Sequence, residues 1–233
     1  MTARSRFDPP ITVALDYPSL DEAKRLLDAI GDKVRIFKIG LQLFAAAGPA
    51  AVREVTSRGF DVFLDIKAHD IPNTVAGAVA SAAGLGARLM TVHGSGGRAQ
   101  IAAALDATVA GKPEILVVSV LTSLDEGDLA ETGIGRGVSD QVDAIAALAA
   151  KEGAPGLVLS ASEVGRVRTN HPDLFLLVPG MRPAWAAKGD QKRTGTPKQA
   201  LQDGADLIVL GRAVTQAPDP AAAVDRVLEE ISS

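Results

Sequence analysis

Residues 63–74, FLDIKAHDIPNT, place two carboxylates and an amine, Asp65, Asp70 and Lys67, within a span of six positions at the end of a hydrophobic run. The run FDVFLDI alternates and is rich in β-branched and aromatic residues, which predicts a strand on which Asp65 and Lys67 share one face. Their Cα atoms are then roughly 6 to 7 Å apart, so the ionised side chains can meet. Residues 69–73 contain Pro72 and types that cap helices, so a turn follows and carries Asp70 back toward the same rim. Carboxylates on both sides of a lysine favour its ammonium form, which makes Lys67 a proton donor rather than a base. The alternative is a solvated surface ion pair, the usual fate of a charge cluster.

A cluster of this kind needs a frame. Strand-like hydrophobic runs recur at residues 11–15, 34–39, 60–66, 89–93, 115–120, 156–160, 174–178 and 207–210, each followed by a helix-like segment. Eight such repeats in about 230 residues predict right-handed βαβ units closed into one α/β domain over residues 1–233, a (β/α)8 TIM barrel. Helix signals agree: Ser19 with Glu22 as a capping box, Pro49 and Gly59 bounding one helix, Thr196 with Pro197 and then Gly204 bounding another. A doubly wound nucleotide-binding sheet fits less well. No G-x-G-x-x-G follows the first strand, residues 133–137 lack that spacing, and Pro113 stands where a phosphate loop ending in Gly111 and Lys112 needs a hydroxyl.

Barrel active sites form at the C-terminal ends of the strands. Those ends carry Asp16, Lys38, Asp65 with Lys67, His93, Thr122 with Ser123, Ser160, Arg182, and Gly211 with Arg212. The first three strands are neighbours about 4.8 Å apart, which predicts a self-satisfying row of alternating charge: Asp16, Lys38, Asp65, Lys67. Gly211 and Arg212 follow the last strand and precede a short helix start, where backbone N–H groups and a guanidinium suit a phosphate. Arg182, just past Pro179 at the end of the seventh strand, reaches toward the same anion. Residues 183–194 are polar, contain glycine, carry Trp185, Lys188, Gln191, Lys192 and Arg193, and lack a core-forming period, which predicts a mobile lid. From sequence physics alone Gln191 is an ordinary loop glutamine, and Trp185 and His93 are packing or hydrogen-bonded structure.

With 233 residues, 47% of them hydrophobic, the chain can bury one large core. Zero cysteines exclude a disulfide scaffold, a thiolate metal site and a cysteine nucleophile, and suit a reducing cytosol. His69, His93 and His171 lie on separate segments without H-E-x-x-H spacing, which argues against zinc. A net charge of −4 argues against nucleic acid as a partner, and no apolar run approaches a membrane span. The N-terminus MTARSRFDPP lacks an apolar core of signal-peptide type, so the expected location is the cytoplasm.

The run D-x-K-x-x-D-I-x-N-T from Asp65 to Thr74 resembles the signature of the orotidine 5′-monophosphate decarboxylases and matches it throughout. VALDY at 13–17, FKIG at 37–40, VHGSGG at 92–97, VLTS at 120–123, PGMRP at 179–183, GDQKR at 189–193 and VLGRAVTQ at 209–216 also resemble that family, in its order. Nearly the whole chain is covered. The resemblance implies conversion of orotidine 5′-monophosphate to uridine 5′-monophosphate in pyrimidine biosynthesis, with no metal or organic cofactor. Lys67 is then the acid for a C6 carbanion, kept charged by Asp65 and Asp70, while Asp65 sits near the departing carboxylate. Asp16 and Lys38 bind the ribose hydroxyls, and Thr122 or Ser123 contacts the pyrimidine edge. Pro179, Arg182, Gly211 and Arg212 hold the phosphate, and Gln191 bridges phosphate and base. The resemblance further implies a homodimer in which Asp70, Ile71 and Thr74 complete the neighbouring site. Two other readings stand beside it: a Mg²⁺-dependent sugar-phosphate barrel, which looks similar around D-x-K-x-x-D, and a non-catalytic phosphate-binding barrel. The I-P-N-T, VLTS and GDQ runs weigh against the first, and Lys67 weighs against the second.

Overall fold

The computed structural model describes residues 6–183, 185 and 195–233. Eight parallel strands close into a barrel in sequence order: β1 Ile11–Ala14, β2 Ile36–Gly40, β3 Asp61–Ala68, β4 Leu89–His93, β5 Glu114–Val118, β6 Gly156–Val158, β7 Phe175–Val178 and β8 Leu207–Leu210, which pairs back to β1. Every predicted run holds a strand, with no end moved by more than two residues. As β5 and β6 stop early, Thr122, Ser123 and Ser160 stand in loops beyond them.

Strand alternation divides the core in two. Ile36, Phe63, Leu89, Leu116, Phe175 and Leu207 fill the barrel interior, while Val13, Phe37, Ile39, Leu64 and Met90 pack outward against the helices. Burial on both faces is what an all-parallel sheet requires. Phe7, edge-on to Phe175 with ring centroids 6.1 Å apart, covers the N-terminal end. Two residues further along the same inward rows, Ala14, Ile36 and Phe63 give way to Asp16, Lys38 and Asp65. The apolar filling thus becomes a charged surface at the C-terminal rim.

The helices between strands follow their caps. Gly59 (φ +83°) follows helix Pro49–Ser57, and Gly204 (φ +111°) follows helix Pro197–Gln202, in the left-handed conformation that glycine adopts without strain. The capping box expected at Ser19 forms only in part. Ser19 Oγ accepts the Glu22 N–H at 3.3 Å, but the Glu22 carboxylate accepts the Ser19 hydroxyl at 2.9 Å rather than its backbone N–H. A complete capping box occurs instead at Asp125 and Asp128, where it starts helix Glu126–Glu131 directly after the loop bearing Thr122 and Ser123.

Candidate active site

Asp16, Lys38, Asp65 and Lys67 form the predicted row across β1, β2 and β3. Lys38 Nζ donates to Asp16 Oδ1 at 2.9 Å and lies 3.6 Å from Asp65 Oδ2, and Lys67 Nζ donates to Asp65 Oδ1 at 2.9 Å. The Lys38 and Asp65 side chains are only 10% and 12% exposed. In such surroundings an uncompensated charge is expensive, so each member depends on its neighbours. The row also needs a close approach of the backbone. A Cβ on Gly40 would lie 2.5 Å from Asp16 Oδ1 and 2.6 Å from Lys38 Nζ, so any larger residue there must displace the ends of these two side chains.

Lys67 reaches the row by a route the regular pleat does not offer. β3 continues to Ala68, its register with β4 shifts between Leu64 and Ala68, and Lys67 adopts φ +49°. A left-handed backbone costs a residue with a side chain roughly 1 to 2 kcal/mol. The Lys67 N–H donates to Thr91 Oγ1 at 2.9 Å, and the Thr91 hydroxyl donates to Asp65 Oδ1 at 3.0 Å.

The expected placement of Lys67 between Asp65 and Asp70 is not formed within the chain. Asp70 makes no ion pair with Lys67 among the described residues; its carboxylate accepts the Ile71 N–H at 2.6 Å, and its own N–H donates to Gln100 Oε1 at 3.2 Å. The cause is the longer strand, after which the chain leaves the rim to begin helix Pro72–Gly84 with Ile71 as N-cap. Ile71 is 66% exposed, Thr74 is also exposed, and neither lines the site. Gln100 went unmarked in the sequence. It is fully buried and donates its Nε2 to the His93 carbonyl at 2.7 Å, tying the Asp70 turn to the end of β4. The available signal was an amide on the buried side of helix Gly97–Asp106, beside Ile101 and Ala104.

His93, read from the sequence as packing or hydrogen-bonded structure, makes both kinds of contact. Its ring stacks on His69 with centroids 5.3 Å apart, and its Nδ1 lies 2.7 Å from Ser95 Oγ. Burial, and after it the charges of His69 and Lys67, pull His93 below its ordinary value, so the ring is neutral at neutral pH.

The charge row forms one wall of a cavity of about 520 Å³, a size that suits a small organic ligand. Thr122 and Ser123 after β5, Pro179 and Arg182 after β7, and Gly211 and Arg212 after β8 line the rest, over a floor that includes Val118, Val158 and Val209. Gln191 and the expected lid, apart from Pro183 and Trp185, lie outside the described residues. The feet of that segment are joined: Met181 bridges to Gly195, and the Arg182 N–H donates to the Gly195 carbonyl at 2.9 Å. Trp185 carries the Arg226 guanidinium 4.1 Å above its ring, a packing arrangement. One end of the cavity therefore holds an ammonium paired with a carboxylate, and another holds two arginines. This polarity fits a phosphate ester whose reacting group lies away from the phosphate. Among the described residues no three acidic or histidine side chains converge to hold a metal, and no helix is long and apolar enough to cross a membrane.

A family model described as orotidine 5′-phosphate decarboxylase / HUMPS matches residues 9–227. The orotidine 5′-phosphate decarboxylase of Anaeromyxobacter sp. (strain K) is 49% identical over 214 residues, covering 91% of this chain and 94% of that protein. That of Pseudomonas fluorescens (strain SBW25) is 45% identical over 226 residues, covering 96% and 97%. The solved structure of orotidine 5′-phosphate decarboxylase from Lactobacillus acidophilus is similar with a TM-score of 0.85 at 35% identity, covering 96% of this chain and 99% of that one.

Two outcomes follow from the geometry. Asp65→Asn removes the negative charge between two ammonium groups and should lower the unfolding free energy by about 2 to 4 kcal/mol, read from urea titrations. An unchanged urea midpoint would mean that the row does not hold this rim. For His93 the folded value lies below the ordinary 6.5, so the neutral ring's contribution to stability is complete above that pH and declines as pH falls toward the folded value. His93→Gln should flatten the loss of stability between about pH 7 and 5, and parallel curves for the two proteins would exclude His93 as its source.

Proposed function

As the chain belongs to the orotidine 5′-phosphate decarboxylase / HUMPS family and is a carboxy-lyase of pyrimidine biosynthesis acting on orotidine 5′-monophosphate, we propose that Lys67 is its proton donor. The observation that carries this reading is the Lys67 ammonium, 2.9 Å from Asp65, on the wall of a cavity that elsewhere presents Arg182 and Arg212. The bond from C6 to the carboxylate breaks with its electron pair left on C6, and CO₂ departs. Lys67 stabilises that pair with its charge and then transfers a proton to C6, becoming a neutral amine that regains its proton from water. Asp65 lies beside the substrate carboxylate, where crowding of like charges is relieved as CO₂ forms.

In the same reading Asp16 and Lys38 take the ribose hydroxyls, with Lys38 also holding Asp65 in place. Thr122 and Ser123 offer hydroxyls to the pyrimidine edge. Pro179, Arg182, Gly211 and Arg212 grip the phosphate, and Gln191 bridges it to the base. Binding energy from that remote group is then available to close the site and exclude water. The scheme uses no metal or organic cofactor. It takes a homodimer, in which Asp70, Ile71 and Thr74 enter the neighbouring site and Asp70 flanks the partner's lysine. The exposure of two large apolar side chains near this rim, Ile71 at 66% and Leu41 at 61%, supports a second copy covering them. The cysteine-free composition suits a cytoplasmic enzyme.

The test is turnover of orotidine 5′-monophosphate in EDTA, followed by loss of orotate absorbance. Turnover that appears only with added Mg²⁺ and a pentose phosphate would select the sugar-phosphate reading. Lys67→Ala should lower kcat by several orders of magnitude with the far-UV spectrum intact, because proton donation and charge stabilisation each contribute on the order of 10² or more. A variant keeping a tenth of wild-type kcat would remove Lys67 from this role. Arg212→Ala should weaken kcat/KM for the nucleotide by roughly 2 to 4 kcal/mol while hardly changing the slow turnover of orotidine, which has no phosphate. Equal damage to both substrates would mean that Arg212 acts on the fold or the reacting ring.

A further inference from the structure

We propose that Thr91 is a positioning residue for this reaction, its one hydroxyl fixing both the Asp65 carboxylate and the backbone turn that presents Lys67. The proposal rests on Lys67 being the proton donor.

Thr91 stands in β4 two residues beyond Leu89, on the inward face, and is fully buried. It is not among the residues lining the cavity, so it acts through others rather than on substrate. Its Oγ1 accepts the Lys67 N–H at 2.9 Å and donates to Asp65 Oδ1 at 3.0 Å. The direction is forced. An amide N–H can only donate and an ionised carboxylate can only accept, so the hydroxyl proton must point at Asp65. Asp65 Oδ1 also accepts from Lys67 Nζ at 2.9 Å, which closes a ring: backbone of Lys67, hydroxyl of Thr91, carboxylate of Asp65, ammonium of Lys67.

This ring occupies the stretch where the β3–β4 ladder is interrupted, between Leu64 and Ala68. The Lys67 N–H there has lost a regular strand partner, and Thr91 supplies a side-chain acceptor in its place. The same bond offsets the strain of the left-handed Lys67 backbone at φ +49°. Without it the turn would relax, and Nζ would move relative to the carbon it must protonate. A displacement of about 1 Å is enough to cost on the order of 10²-fold in rate.

Thr91→Val keeps the branched shape and removes both hydrogen bonds, while Thr91→Ser keeps the hydroxyl. For Thr91→Val we expect kcat to fall roughly 10- to 100-fold, with KM for orotidine 5′-monophosphate and the affinity for uridine 5′-monophosphate within about threefold of wild type. Thr91→Ser should recover kcat to within about threefold. A merely structural role would not produce this split, since it would move ground-state binding along with turnover. The inference is overturned if Thr91→Val retains kcat within about twofold, if Thr91→Ser is as impaired as Thr91→Val, or if affinity for uridine 5′-monophosphate falls with kcat. Should Thr91→Val fail to fold, Thr91→Ala against Thr91→Ser reads the same contrast. Lys67→Ala, assayed in parallel, keeps the two claims apart. An active Lys67→Ala takes down the proton-donor assignment, whereas an inactive one beside an unimpaired Thr91→Val takes down only the role of Thr91.

Discussion

Charge neutrality around the two buried members of the row is the constraint on which this site depends. Lys38 and Asp65 are too buried to be left to water, and each can exist there only because its neighbours carry the opposite sign. That in turn fixes the fold beneath them. β1, β2 and β3 must be adjacent, parallel and in the registers that set Ala14 beside Lys38 and Gly40 beside Asp65. A slip of one residue would turn every member of the row to the other face. The apolar filling below, with Phe63, Ile36 and Phe175 among its members, supplies the hydrophobic stabilisation that lets the rim carry such demanding groups.

Placing the charge row on strands and the arginines on loops divides the labour by stiffness. The charge row is built on β1 to β3, whose backbones are held on both sides by neighbouring strands. Arg182 and Arg212 stand just beyond β7 and β8, next to the joined feet at Met181 and Gly195. A phosphate contact made from loops tolerates adjustment on binding, whereas proton transfer demands fixed distances. The closed barrel brings the charge row and the two arginines to one cavity because its last strand returns to its first.

Much of this was readable in the sequence, and the failures have physical causes. Hydrophobic runs located all eight strands because a parallel barrel buries both faces of each, leaving little doubt about which segments lie inside. The charge row was readable because adjacency in a barrel follows chain order. Lys67 was harder. Alternation assumes a regular pleat, so it gave the correct partner, Asp65, by the wrong backbone, and it could not see the register shift or the left-handed turn. The turn signals around Pro72 brought Asp70 back to the rim, when the chain in fact leaves it to begin helix Pro72–Gly84. Thr91 and Gln100 were missed for another reason: they make tertiary hydrogen bonds to another strand end, partners that a local pattern does not name even where, as at Gln100, it places an amide on a buried helix face. At Ser19 the residue types were right, but the hydroxyl and the carboxylate bonded to each other.

Phe7 over the N-terminal end and the side chains packed through the barrel interior give the cavity a sealed base. Passage along the barrel axis is thereby blocked, and the cavity is reached from the C-terminal rim, where its lining residues Asp16, Lys67, Arg182 and Arg212 stand.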